Sequence, residues 1–243
     1  MTWFVRFAGW CLIAAGLLIT PTVFHPDIFD ISIGEASLKP YWAAGHAAGL
    51  VAMVLTIFGL AGLVARYGAR LGALGLAALV VAVPGIVLTA CVAYGEAFVL
   101  PPLARIDPQL VDLQGPLLGS WPVRVLGGLA LLWLVGLTLL GVALWRTRVV
   151  PRAAAGLLAV GAVGFGAFEG PFVPVLGVLF VIVFAAAHVW LGYALMSNRA
   201  NLDESEASAG AGNHRSSAGT VLGRRPRAWV LLLRTLCGPA KTN

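Results

Sequence analysis

The chain has 243 residues, of which 60% are hydrophobic and only 11% are charged, and its mean hydropathy is +0.92. Soluble domains carry about 25% charged residues, so this composition excludes an ordinary soluble domain and indicates an integral membrane protein. The net charge of +6 does not indicate a nucleic-acid partner, because membrane proteins keep an excess of arginine at their cytoplasmic edges, facing anionic lipid.

Six apolar segments follow one another along the chain and predict an all-α fold. They cover residues 4–20, 41–65, 71–100, 123–145, 153–168 and 172–196. About 20 helical residues cross a hydrocarbon core of roughly 30 Å, so we predict a polytopic transmembrane helical bundle with six spans within residues 1–198. The second and third spans are predicted to be joined by a basic turn at residues 66–70. No clear small-x-small cleavage site precedes Pro21, which favours an uncleaved first helix over a signal peptide.

The sign of the charge alternates between consecutive connections, and this alternation predicts the topology. Seven basic residues fall on one side of the predicted spans: Arg6, Arg66, Arg70, Arg146, Arg148, Arg152 and Arg199. Three fall on the other side, together with acidic residues: Lys39, Arg105 and Arg124. The positive-inside rule therefore predicts that both termini are cytoplasmic. Basic residues that are nearly all arginine, with abundant Ala, Gly and Leu, are typical of a high-GC bacterial genome, so we expect a multi-pass protein of the bacterial plasma (inner) membrane.

Proline, glycine and tryptophan positions predict where the spans bend, end and touch. Pro84 lies near the middle of the long third span and predicts a kink, and Pro101 with Pro102 predicts the end of that helix. Trp42 and Trp121 are predicted to lie at the external membrane boundary, where amphipathic rings are enriched. The glycine-rich fifth span predicts close approach of another helix, because van der Waals packing drives helix association in lipid.

Three ionisable residues are predicted to lie in the external third of the membrane: His46, Glu96 and Glu169. Charged groups at membrane depth cost about 2.5–3.5 kcal/mol on insertion scales, so each of them requires an explanation. One hypothesis is a single external polar pocket with Tyr41 and Tyr94 nearby, which would relay protons, bind a cation or hold a metal, although the spacing gives no support for a metal. The alternative is that both glutamates lie at the water boundary and need no partner.

Other residue patterns argue against catalysis by metal or cofactor. A haem held by His46 and His188 is disfavoured, because the helical rise separates them by roughly 10 Å along the membrane normal. We therefore predict that His188 is a hydrogen-bonded interior residue. The cysteines Cys11, Cys91 and Cys237 form no CxxC pair, and no HExxH motif is present. We expect no cofactor, no metal site and no catalytic residue, and the sequence leans against an enzyme.

Residues 199–243 differ in composition from the rest of the chain. Ser, Ala, Gly, Asn and acidic residues follow position 200, which predicts a flexible cytoplasmic tail. A short basic segment at 224–227 leads into an apolar stretch at 228–233 that is too short to span a membrane. Contact of this segment with the inner membrane surface and an unstructured tail remain as alternatives.

Four short stretches carry a likeness to known sequences. They are Gly45-His46-Ala-Ala-Gly49-Leu50, Glu96-Ala-Phe-Val-Leu-Pro101, Val150-Pro151-Arg152-Ala-Ala-Ala-Gly156 and Trp190-Leu-Gly-Tyr-Ala-Leu195. Over residues 41–196 the chain resembles a loose group of uncharacterised six-helix integral membrane proteins from bacteria. The resemblance implies the same helix count, and it implies that His46 and Glu96 are characteristic of the group. It implies no substrate and no reaction.

Three hypotheses of function are compatible with these features. The first is a small transporter or permease-like protein that handles a small solute, an ion or a proton through the external pocket. The second is a non-catalytic accessory, sensor or scaffold subunit that binds another membrane protein through its loops and basic tail. The third, which the residue patterns favour least, is an intramembrane redox or metal enzyme. The lipid bilayer is the expected partner in each case.

Overall fold

The helices occupy nearly all of residues 2–23, 32–169 and 173–197, which are the residues that the computed structural model describes. The α-helices in chain order are α1 (Thr2–Ile19), α2 (Ile33–Ser37), α3 (Pro40–Tyr94), α4 (Leu100–Ile106), α5 (Trp121–Ala130), α6 (Leu132–Thr147), α7 (Arg152–Gly164) and α8 (Leu176–Ser197). Short 3-10 helices cover Thr20–Val23 and Pro108–Val111. Two π-helical turns, Gly95–Val99 (the first π turn) and Phe165–Glu169 (the second π turn), continue α3 and α7.

Five helical stretches are long and apolar enough to cross a membrane: Trp3–Thr22, Pro40–Ile106, Trp121–Thr147, Arg152–Glu169 and Leu176–Ser197. The described part of the chain contains no strand. The prediction of an all-α protein of the helical membrane class is therefore confirmed. These helices belong to the unit Met1–Arg199, whereas the predicted tail lies outside the described residues, as do Asp27, Asp30 and residues 170–172.

The longest stretch, Pro40–Ile106, folds back on itself. A straight helix would separate Trp42 from Glu96 by about 81 Å, yet the Trp42 indole Nε1 donates to the Glu96 carbonyl oxygen at 2.7 Å. Within α3, the non-helical residue is Gly72, with φ 65° and ψ −168°. This conformation is nearly exclusive to glycine, so the reversal occurs there. We call residues 40–71 the first arm of α3 and residues 73–94 the second arm.

Two local expectations require correction. Residues 66–70 are helical, so the predicted basic turn is displaced to Gly72, a residue type that tolerates the required dihedrals. Pro84, where a kink was predicted, lies in the second arm with helical dihedrals and does not interrupt that helix. Pro101 and Pro102 do not end the helical backbone, because they occupy the first turn of α4. Proline is tolerated there, since the first backbone N–H groups of a helix have no partner within it.

Neighbouring helices pack antiparallel around a ring. Helix α1 packs on the first arm, where a Cβ at Gly59 would meet Leu12 and one at Gly62 would meet Ala8. The second arm packs on α6, where Ala82 lies against Gly136 and Gly85 against Trp133. The same pairing joins α6 to α7, α7 to α8 and α8 to α1, at Gly141, Gly161 and Gly192 respectively. With the two arms of α3 in contact at Trp42 and Glu96, the ring closes.

The two ends of the ring carry opposite charge. The arginine end holds Arg6, Arg66, Arg70, Arg146, Arg148 and Arg152. The acidic end holds all five acidic residues of the described ranges, namely Glu35, Glu96, Asp107, Asp112 and Glu169, together with Lys39, Arg105 and Arg124. Arg66 contacts the carbonyl of Leu195 at 2.9 Å, so one arginine also binds a free carbonyl near the end of α8.

We expect the glycine contacts to be strictly required for stability. A Cβ at Gly85 would fall on the backbone of Trp133, which cannot move aside without displacing α6. Gly85→Ala should lower the free energy of unfolding by about 1–3 kcal/mol through overpacking. The measurement is an SDS unfolding titration of the full chain in mixed micelles. Gly128→Ala is the control, because nothing lies within 4 Å of a Cβ at Gly128. Equal stability of the two variants would contradict the proposed contact.

Candidate functional site

A cavity of about 250 Å³ opens inside the ring at its acidic end. Its walls come from the end of α1, both arms of α3, the α5–α6 junction and the second π turn, whereas α8 contributes no lining residue. The polar lining residues are Thr22, His46, Thr89, Glu96 and Glu169. We call this space the central cavity. The structure thus places three ionisable side chains from three helical segments around one volume.

His46 and Glu96 form an ion pair at the cavity wall. His46 Nδ1 lies 2.8 Å from the carbonyl oxygen of Trp42, one turn earlier in the first arm. A carbonyl only accepts, so Nδ1 carries a proton and Nε2 faces Glu96, at 3.4 Å from Oε2. Both side chains are mostly covered, with 16% and 33% of their surfaces exposed. This geometry allows one exchangeable proton to be held between the imidazole and the carboxylate.

Glu169 is the second carboxylate of the cavity. It ends the second π turn and lies close enough to Glu96 for the two groups to interact electrostatically. Two ionised carboxylates that face one largely apolar space repel each other, and either a proton or a bound cation relieves that repulsion. The cavity can therefore hold a proton or a small cation.

The first π turn follows from the two prolines that come after it. In this turn the Leu100 N–H bonds to the Gly95 carbonyl. The same five-residue spacing would pair the Glu96 carbonyl with the nitrogen of Pro101, which has no hydrogen. The Glu96 carbonyl instead accepts from the indole of Trp42 at 2.7 Å. Trp42 thereby satisfies a backbone group that the Pro101 ring leaves without a donor.

A third interruption of helical geometry lies beside the same cavity. Helix α5 ends at Ala130 and α6 begins at Leu132, with Leu131 between them. The Thr89 hydroxyl donates to the Ala130 carbonyl at 3.3 Å. Leu131 keeps right-handed helical dihedrals, so the change there is a local break in the hydrogen-bond ladder. Both π turns and this interruption border the central cavity.

Aromatic rings close the inner side of the cavity. Trp133 and Phe165 line it, and both contact Phe184, with ring centroids 5.4 Å and 5.5 Å apart. Phe184 is fully buried, and its ring contacts His188 on the far side. His188 Nδ1 donates to the Phe184 carbonyl at 3.0 Å, so the prediction of a hydrogen-bonded interior histidine is confirmed. His188 does not line the central cavity.

The two predicted tyrosines lie away from the central cavity. Tyr94 is exposed on the outer surface of the second arm, where its ring contacts Phe98. Tyr41 packs against a small apolar cluster formed by Ala36, Trp42, Leu100, Ala104 and Val111. Neither tyrosine is a lining residue. The structure brings together His46, Glu96 and Glu169, but not Tyr41 or Tyr94, at the cavity.

That apolar cluster joins α2, α4 and the 3-10 helix Pro108–Val111 into what we call the outer cap. The Asp112 carboxylate accepts from the Gly34 N–H at 3.0 Å and ties the two parts of the cap together. Trp42 lies at its base, only 2% exposed, with its ring 4.3 Å from that of His46. Trp42 is thus buried by protein and bound through its indole N–H, whatever its depth relative to the membrane boundary. Trp121, in contrast, is 77% exposed.

Sequence reasoning missed Trp133 and Thr89, which line the cavity, and Trp42, which supports His46 and Glu96 from behind. Their types carry no signal of function in an apolar helix, and only the register of the folded helices brings them to these positions. Among the described residues, no three His, Cys, Asp or Glu side chains are grouped as metal ligands. The chain matches no protein-family model, and comparison with curated proteins and with solved structures finds no significant match.

The indole of Trp42 provides a direct test of the site's construction. Trp42→Phe keeps a ring but leaves the Glu96 carbonyl without its donor, which should cost about 1–3 kcal/mol of unfolding free energy. SDS unfolding of the full chain measures this loss. Trp121→Phe removes an equivalent indole from an exposed position and should have no effect. A Trp42→Phe protein as stable as the wild type would show that this hydrogen bond is dispensable.

Proposed function

We propose that the chain is a permease-like protein of the bacterial plasma membrane that binds and moves a small cationic solute through the central cavity. In this proposal the two arms of α3 cross the membrane separately, which makes six spans. The arginine end and both termini are cytoplasmic, and the acidic end is external. Support for this orientation comes from the segregation of arginine and acidic residues to opposite ends of the ring.

The observation that carries the function is the combination of His46, Glu96 and Glu169 around one cavity between interrupted helices. Ionisable groups inside a membrane bundle mark ion and proton pathways, and discontinuous helices are typical of transporter binding sites. Two neighbouring carboxyl groups at this place can exchange a proton for a cation, which packing alone does not require.

The pair His46–Glu96 supplies a way to couple the solute to a proton. When a monovalent cation binds between Glu96 and Glu169, the proton held between His46 Nε2 and Glu96 leaves to the external solution. One positive charge then replaces another, so the net charge of the cavity is unchanged. Trp133 at the cavity wall offers an aromatic face for a cation.

Uptake of radiolabelled tetramethylammonium into proteoliposomes tests the proposal, because this ion is permanently charged and does not cross lipid alone. Glu96→Gln and Glu169→Gln should each reduce uptake about 10- to 100-fold, as expected for loss of a charge-assisted contact. Glu35→Gln is the matched control, because Glu35 is an exposed acidic residue at the same end, outside the cavity. Uptake that is absent in the wild type, or equal in all four proteins, would refute a cation permease.

The accessory-subunit hypothesis makes a different prediction for the tail. Deletion of residues 201–243 should leave tetramethylammonium uptake unchanged if the central cavity carries the function, because the described lining residues all belong to the unit Met1–Arg199. The same proteoliposome assay measures it, with the full chain as control. Loss of uptake on deletion would favour a function that depends on the tail.

A further inference from the structure

A second, lateral space adjoins the central cavity on the outside of the ring. It measures about 340 Å³ and lies between α6 and α7. Its lining is apolar apart from one hydroxyl and includes Leu131, Val135, Thr138, Val163 and Gly166. We call it the lateral groove. Val135 and Val163 are more than half exposed, so the groove opens outward, toward the hydrocarbon of the bilayer in the proposed orientation.

The lateral groove and the central cavity share part of their walls. Leu131, Leu134 and Gly166 line both spaces. Leu131 is the interruption between α5 and α6, and Gly166 lies in the second π turn, three residues before Glu169. A Cβ at Gly166 would lie 2.9 Å from Leu134 Cδ1. The absence of a side chain at Gly166 therefore keeps the wall between the two spaces thin.

We propose that the solute is an amphiphilic amine whose cationic head binds in the central cavity and whose apolar chain lies in the lateral groove. This inference rests on the proposed function and specifies its substrate class. The two carboxylates select a positive head and reject fatty acids and other anionic amphiphiles. The adjoining apolar groove can hold the alkyl chain of an amphiphile, and a small hydrophilic cation would not need such a groove.

The shared wall also explains why helical geometry is interrupted at Leu131 and at the second π turn. Both interruptions lie where head and chain would meet, at the boundary between the polar and the apolar space. A continuous pair of helices there would place regular side-chain rows across the junction. The irregular backbone lies at the wall that the two spaces share.

Competition binding on the full-length protein in detergent tests the substrate class. The probe is radiolabelled tetramethylammonium, and the competitors are unlabelled tetramethylammonium and hexyltrimethylammonium. Each buried methylene adds about fourfold in affinity, so the hexyl compound should compete at least about tenfold better even if part of its chain stays exposed. Glu169→Gln should weaken binding of both compounds about 10- to 100-fold.

Two tryptophan variants test whether the alkyl chain of the hexyl compound binds in the lateral groove. Val163→Trp places a large ring in the lateral groove and should remove the advantage of the hexyl compound, while tetramethylammonium binding is retained. Val160→Trp is the control, because Val160 is equally exposed on α7 (57% against 56%) and does not line the groove. It should leave both affinities unchanged.

The outcomes separate the two proposals. A hexyl compound that binds no better than tetramethylammonium, as expected if a bilayer lipid chain occupies the groove, overturns the amphiphile inference and leaves the permease proposal intact. An advantage that survives Val163→Trp also overturns it. Failure of the wild type to bind tetramethylammonium refutes the permease proposal, and with it the inference.

Discussion

Close contact between helix backbones at glycine is the constraint on which this structure depends. Lipid chains are as apolar as leucine, so a helix gains little from burying its side chains against another helix, and tight van der Waals contact must provide the attraction. At Gly62, Gly85, Gly161 and Gly192 an added Cβ would collide with the neighbouring helix. These contacts set the spacing around the ring, and that spacing determines the size of the central cavity.

The second constraint is that every backbone polar group at membrane depth needs a partner within the protein. Helices α3, α6 and α7 depart from regular geometry beside the cavity. Two backbone carbonyls there accept hydrogen bonds from side chains. Trp42 binds the carbonyl of Glu96, and Thr89 binds that of Ala130. Both of these side chains belong to α3, one to each arm, and each binds a carbonyl of a neighbouring helical segment. The cavity therefore depends on the packing of the helices around it.

The sequence was sufficient to predict the helical membrane class and the common depth of His46, Glu96 and Glu169, because apolar length and charge alternation are local properties. It was insufficient for the hydrogen bond of Trp42, since the preference of tryptophan for membrane boundaries says nothing about which carbonyl its indole N–H binds. The π turns were equally hidden. The Pro101–Pro102 pair indicates a missing donor, but the donor that compensates comes from Trp42, 54 positions before the Glu96 carbonyl that it binds. Gly72 was missed because the neighbouring arginines gave the stronger signal.

The contact of α1 with α8 separates the order of the helices along the chain from their order in space. Gly9 lies against Met196, so the first and last described helices are neighbours like any consecutive pair. In this closed ring every helix has two neighbours, so the spatial arrangement does not distinguish the first helix from the others. A linker between the two ends, with a new opening in the turn between α6 and α7, would preserve every helix contact, and proteins with adjacent ends commonly tolerate such circular permutation. The architecture of the bundle thus depends on which helices are in contact and not on their order along the chain.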